Sequence, residues 1–237
     1  MKKIFLIIFV FYSFFFQAQT TDSIYTASGF LKIKNNKDST PYNKDYFFNE
    51  GIYLSYQDFR QCNAVPRALI LTKIEKNQLE FYHKLVDLQD TIVYRKGKGI
   101  SLISTDQLFC FVQNNFVYLN VEGTFCRIPV FGNISHFIGN ISIEAFRSDG
   151  PFYDPSMNGA SGITGNPLRA KETREFIFDF YYGKTLLMTP ENLEVILKRD
   201  INLFKEFSKL TKKQKRKKLY YFLKRYNDLH SANFPKA

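Results

Sequence analysis

Few side chains in this sequence stand at spacings that chemistry requires. Its three histidines, His83, His136 and His230, are scattered, and no HxxxH, HExxH or CxxC pair occurs. A metal site is therefore not expected, because a zinc-type site needs donors that one turn of chain brings together. The glycine-rich stretch "NGASGITGNP", Asn158 to Pro167, lacks the GK[ST] ending of a phosphate loop. Ser161 lies in GASGI, which is not the GxSxG elbow of a hydrolase. Glu144, Asp149 and Asp154 could act as general acids or bases, and His136 is a further candidate. Their spacing fits no named calcium loop, and solvated loop carboxylates are far commoner. The expectation is a chain with no cofactor and no catalytic residue. A hydrolase using those carboxylates or His136 is the enzymatic alternative.

The strongest pattern is basic. In "TKKQKRKKLYYFLKRYND", Thr211 to Asp228, the residues Lys212, Lys213, Lys215, Arg216, Lys217 and Lys218 fill six of seven consecutive positions. Gln19 to Gly183 carries 17 Lys/Arg against 17 Asp/Glu, whereas Lys184 to Ala237 carries 14 against 5. The excess charge beyond Lys2 and Lys3 thus sits in the last quarter of the chain. Its simplest reading is the solvated face of a helix. The functional reading is salt-sensitive binding of an anionic lipid or polysaccharide surface, each cation contributing about 1 kcal/mol before screening. Thr211 with Gln214 has the capping-box form, so a helix should start there. Cations in a first turn oppose the helix macrodipole by a few tenths of a kcal/mol each. Either the preceding helix runs on through Thr211, or the cluster meets something anionic.

The start of the chain bears on which anions are within reach. Lys2 and Lys3 precede an uncharged run from Ile4 to Phe16, followed by Gln17, Ala18 and Gln19. A basic start, an apolar stretch of that length and a small residue form a secretory signal peptide over 1–18, with cleavage near Ala18. The run is shorter than the roughly 20 residues of a membrane span. The mature chain is then exported, to a bacterial periplasm, envelope or exterior, which disfavours nucleic acid as a partner. An unknown protein or an envelope component fits that location better.

The elements that must position these residues are partly readable. Leu108 to Ile138 runs LFCFVQ–NN–FVYLNV–EG–TFCRIPVF–GN–ISHFI, which predicts a four-stranded antiparallel meander with turns at Asn114-Asn115, Glu122-Gly123 and Gly132-Asn133. That register pairs Cys110 with Leu119 and Leu119 with Cys126. One face then carries Leu108, Cys110, Val112, Val117, Leu119, Val121, Cys126 and Ile128. The other carries Phe109, Phe111, Phe116, Tyr118, Phe125 and Arg127, with His136 projecting toward it. Both faces are apolar, so the sheet should be covered on both sides, in a partly closed barrel, a sandwich or a sheet under helices. Cys110 and Cys126 flank a middle strand, roughly 9–10 Å apart, beyond disulfide reach. Cys62 remains able to bridge to either.

Upstream, GIYLS reads as a strand, YQDFRQC as a helical turn, TIVYR and ISLIS as a hairpin about Lys96–Gly99, and NQLEFYHKLVDLQ leans to strand. Arg147 to Pro167 has no apolar period and reads as a long surface loop. Arg174 to Lys184 is a strand. Thr189, Pro190 and Glu191 open a helix whose apolar side is Leu193, Ile196, Leu197, Phe204 and Phe207. A second helix carries Leu219, Phe222, Leu223 and Tyr226. The expected fold is α+β: an antiparallel meander followed by a C-terminal helical hairpin. It divides into a β-rich domain over 19–187, with its loop at 147–167, and a basic helical segment over 188–237, packed on it or appended to it.

The segments "GIYLSYQDFR", "NNFVYLNVEGTFCRIPVFGNISHFIG" and "YYGKTLLMTPENLEVILKRDINLFKEF" resemble parts of an uncharacterised family of secreted bacterial proteins with no assigned activity. The resemblance implies an export signal, a β-rich body and a helical C-terminus. It carries no catalytic or binding residue. The function expected from all of this is a non-catalytic binding or envelope-associated interaction protein.

Overall fold

Two tight turns build the central sheet. Asn114 and Asn115 take φ of 52° and 62°, and Glu122 and Gly123 take 50° and 77°. Paired positive φ values are those of the turn whose twist matches antiparallel strands, and Asn and Gly adopt them at least cost. They join Cys110–Gln113, Phe116–Val121 and Thr124–Ile128 with Cys110 opposite Leu119 and Leu119 opposite Cys126. The expected register is therefore present. The structure, a computed structural model, describes residues 39–142 and 171–235. The leader expected over 1–18 and the loop expected over 147–167 lie outside the described residues.

In chain order the strands are β1 (Ser39–Pro41), β2 (Gly51–Tyr53), β3 (Ile70–Leu71), β4 (Thr91–Lys96), β5 (Gly99–Ser104), β6 (Cys110–Gln113), β7 (Phe116–Val121), β8 (Thr124–Ile128), β9 (Ile134–Ser142), β10 (Lys171–Asp179), β11 (Lys184–Leu187) and β12 (Asn233–Pro235). The helices are α1 (Tyr56–Arg60), α2 (Phe81–Leu88), α3 (Pro190–Leu197), α4 (Ile201–Ser208), α5 (Lys212–Lys217) and α6 (Leu219–Leu229). The strands form antiparallel sheets ordered β2-β6-β7-β8, β11-β10-β9 and β3-β4-β5, with β1 paired to β12. The fold is α+β with C-terminal helices, and no barrel closes among the described residues.

Three apolar cores hold these sheets. Cys110, Val112, Val117, Leu119 and Ile128 pack with Phe137, Phe176 and Phe178 of the β9-β10 sheet, and Phe48, Phe59 and Phe234 join them. The opposite face of the central sheet, through Phe111, Tyr118 and Phe125, packs with Phe81, Tyr82 and Leu85 of α2. The sheet is thus covered on both sides, and its aromatic face is largely core. In the third core Ile134 and Ile177 of the β9-β10 sheet are buried with Leu193, Leu197, Phe207, Leu219 and Phe222 of the helices.

Several expectations are corrected. β9 does not extend the meander: it leaves the central sheet and pairs with β10 along its whole length. The reason lies at Gly132, where a Cβ would stand 2.7 Å from Asn227 Nδ2. Asn227 on α6 accepts from the Ile134 N–H at 2.8 Å and donates to the Ile134 carbonyl at 2.7 Å. The Gly-Asn pair therefore admits a helix side chain rather than turning a hairpin. His136 in consequence faces the C-terminal helices, not the Phe125/Arg127 face. Leu108 packs with Phe111 and Phe109 with the Cys110 side, so alternation breaks ahead of β6.

NQLEFYHKLVDLQ contains helix α2, not a strand. Its buried Phe81, Tyr82 and Leu85 follow helical spacing, and Gln113, itself buried, ties its first turn by accepting from the Tyr82 N–H at 3.0 Å. Cys62 is free, like Cys110 and Cys126.

The helical hairpin is four short helices. Asp200 accepts from the N–H groups of Asn202 and Leu203, both at 3.0 Å, and so caps α4 where one longer helix was expected.

Candidate anion-binding surface

The basic run is placed by three local devices. Thr211 and Gln214 form the full capping box, which starts α5 at Lys212 and separates it from α4. The helix before it does not run through Thr211. At the other end Lys218, at φ −108° and ψ 10°, breaks the chain direction before α6. Between them Lys215 turns inward: its Nζ lies 2.6 Å from Glu194 Oε2 and 5.1 Å from the Phe207 ring centre. Glu194 is on α3, so this pair clamps α5 onto the helical layer.

That clamp divides the six cations. Lys212, Lys213, Arg216, Lys217 and Lys218 are exposed, and among the described residues none of them forms an ion pair. At about 100° per residue, Lys212, Lys213, Arg216 and Lys217 fall within one arc of about 140°. Lys215 lies outside this arc, toward Glu194. Tyr221, exposed, follows within one turn of the break. The outward face of α5 is thus a compact set of free cations on a helix whose opposite side is anchored.

A second ion pair fixes the layer beneath. Arg199, between α3 and α4, donates from Nη2 to Asp179 Oδ1 at 2.9 Å and from Nε to the Ile196 carbonyl at 3.2 Å. Its guanidinium carbon lies 5.1 Å from the Tyr181 ring centre and 5.4 Å from those of Tyr182 and Tyr226. Burial raises the Asp179 carboxyl above its ordinary range and outweighs the lowering effect of the Arg199 charge. Asp200 bonds His230 Nε2 at 2.9 Å, and its capping N–H donors and His230 hold its carboxyl below the usual range. Arg225 bonds Glu206.

His136 sits under the start of α6. The Tyr220 hydroxyl donates to Glu175 Oε2 at 2.8 Å and lies 3.2 Å from His136 Nε2. The single phenolic hydrogen goes to Glu175, so the oxygen accepts from His136 Nε2–H. Burial depresses the imidazole and favours its neutral form, against the pull of Glu175. With Nε2 occupied as a donor, His136 positions Tyr220; that nitrogen has no lone pair for a general base. The candidate carboxylates Glu144, Asp149 and Asp154, and Ser161, lie outside the described residues. Among the described residues no group of three or more His, Cys, Asp or Glu side chains is placed to hold a metal, and no helix is long and apolar enough to cross a membrane.

Sequence reasoning missed Glu194, Arg199, Asp179 and Tyr220. Each acts across elements far apart in the chain, so no local spacing announces them; only the capping Asp200 had a readable local signal. No protein-family model matches this chain, and no match was found among curated proteins or solved structures. Function therefore rests on the geometry.

Proposed function

We propose that the protein is an exported, non-catalytic binding protein that engages an anionic surface through the outward face of α5. The shared chemistry of that surface is phosphate, on lipid headgroups or on envelope polysaccharide. One observation carries the reading. Five exposed cations without ion-pair partners among the described residues crowd α5 and its C-cap, and two of them, Lys212 and Lys213, stand in a first turn that disfavours positive charge. None of the five has an acidic partner among the described residues, whereas the sixth, Lys215, is tied to Glu194. The leader pattern at Lys2–Ala18 supports export to a compartment rich in such surfaces. Near an anionic membrane five cations contribute about 5 kcal/mol before screening. That attraction weakens as salt shortens the Debye length to about 8 Å at physiological strength.

The test is co-sedimentation of the chain from Gln19 onward with phosphatidylcholine vesicles, with and without phosphatidylglycerol, at low and high salt. Binding should require the anionic lipid, weaken with salt, and fall when Lys212, Lys213, Arg216, Lys217 and Lys218 are changed to Gln. Competition by a phosphate-bearing polysaccharide separates the two sources. Vesicle binding that ignores both salt and the five substitutions would remove the proposal.

A further inference from the structure

The β3-β4-β5 sheet has an apolar face that nothing in the described structure covers. Ile70 and Ile92 pack in the core under α2, and Tyr94, of the same parity, is buried. Residues of opposite parity point away: Val93 pairs with both Leu71 and Leu102, and Arg95 pairs with Ile100. Ile100 and Leu102 are 66% and 68% exposed, unusual for adjacent apolar positions on one strand face. β5 is also the edge strand, with no pairing on its outer side among the described residues.

The hairpin register says which backbone groups are free. Lys96 pairs with Gly99 across the two-residue turn Gly97-Lys98, so Gly99, Ser101 and Ile103 exchange hydrogen bonds with β4. The N–H and C=O of Ile100 and Leu102 therefore point out of the edge. Proteins usually blunt such an edge with Lys, Pro or a bulge, yet Gly99 to Ser104 reads GISLIS, with none of these residues. Charge lies toward the two ends, with Arg95 on the open face opposite Ile100 at the turn end. Lys96 and Lys98 stand exposed at the turn, and Asp90 and Asp106 stand exposed at the other end.

We infer that β5 pairs antiparallel with β5 of a second copy of this chain. A two-fold axis at Ser101 sets Ile100 of each copy opposite Leu102 of the other. Four backbone hydrogen bonds form between outward groups, and the two open faces become one continuous apolar surface. The same rotation brings the Lys96/Lys98 turn of one copy to the Asp90/Asp106 end of the other. A parallel arrangement would set like charge against like. The self-complementary charge pattern selects a second copy over an unrelated extended peptide, for which it has no purpose. This inference is independent of the anion-binding reading: it concerns a different surface and has a different readout.

Sedimentation equilibrium of the chain from Gln19 onward tests it. The chain should dimerise, and Leu102→Lys should weaken the dimer at least tenfold while circular dichroism and unfolding midpoint stay unchanged, since the side chain is exposed. Lys96→Asp should weaken it too, and adding Asp106→Lys should restore it. A monomeric chain at all concentrations overturns the inference, as does a dimer indifferent to Leu102→Lys. It is equally overturned if the charge swap restores nothing, or if the edge takes up an extended peptide while the chain stays monomeric.

Discussion

Two sets of cations in the C-terminal layer behave as opposites. Arg199 and Lys215 point inward, each with a carboxylate and at least one aromatic ring. Lys212, Lys213, Arg216, Lys217 and Lys218 point outward, with no acidic partner among the described residues. Charge removed from water has to be matched by a partner of fixed geometry, whereas exposed charge is already matched by solvent. So the inward pair belongs to the architecture, and the outward set is left free for something outside the fold.

The largest test of that contrast is Arg199→Met. It leaves Asp179 buried and uncompensated, and removal of one partner from such a pair typically costs about 3–5 kcal/mol. Urea unfolding should show it as a lower midpoint. An unchanged midpoint would show that the cage is not structural, and the division between the two groups would fail.

A smaller contrast lies within α5 itself. Lys215→Gln should lose about 1 kcal/mol, as expected for a partly exposed pair. Lys212→Gln or Lys213→Gln should instead stabilise by a few tenths, because each relieves repulsion from the helix N-terminus. Neighbouring lysines would then shift stability in opposite directions. Equal effects at Lys215 and Lys213 would mean that the Glu194 clamp holds nothing.

The smallest effect is a pH dependence at His136, which faces Tyr220 and Glu175. Its imidazole is depressed below the ordinary 6.5 by burial. When the folded value lies below the unfolded one, the unfolded chain takes up the proton first. The histidine's contribution is then fully present above about pH 6.5 and is lost as pH falls through the folded value. His136→Gln should therefore flatten this part of the stability profile. A profile identical to that of the parent chain would mean that the imidazole titrates as if solvated.

Much of the fold was readable where the signal is local. Asn114-Asn115 and Glu122-Gly123 define turns through backbone conformation alone, and the pairing of Cys110, Leu119 and Cys126 follows from them. Thr189 and the Thr211–Gln214 box mark helix starts because their donors and acceptors lie within three residues. Apart from the Asp200 cap, a local signal that was passed over, the failures came where a distant partner decides. Gly132-Asn133 looks like a hairpin turn, but Asn227, far along the chain, takes the place of a strand partner. NQLEFYHKLVDLQ suits a short strand as well as a helix until the aromatic face of the central sheet needs a cover.

By itself, the amino-acid sequence determined the α+β class, the turn register, the helix caps and the concentration of positive charge beyond Lys184, because each rests on neighbours in the chain. Only the tertiary structure decided which cations are free. Six basic residues at adjacent positions are alike to any local rule. The difference between Lys215 and the other five is made by Glu194 and Phe207, which packing of the helices brings to one side of α5.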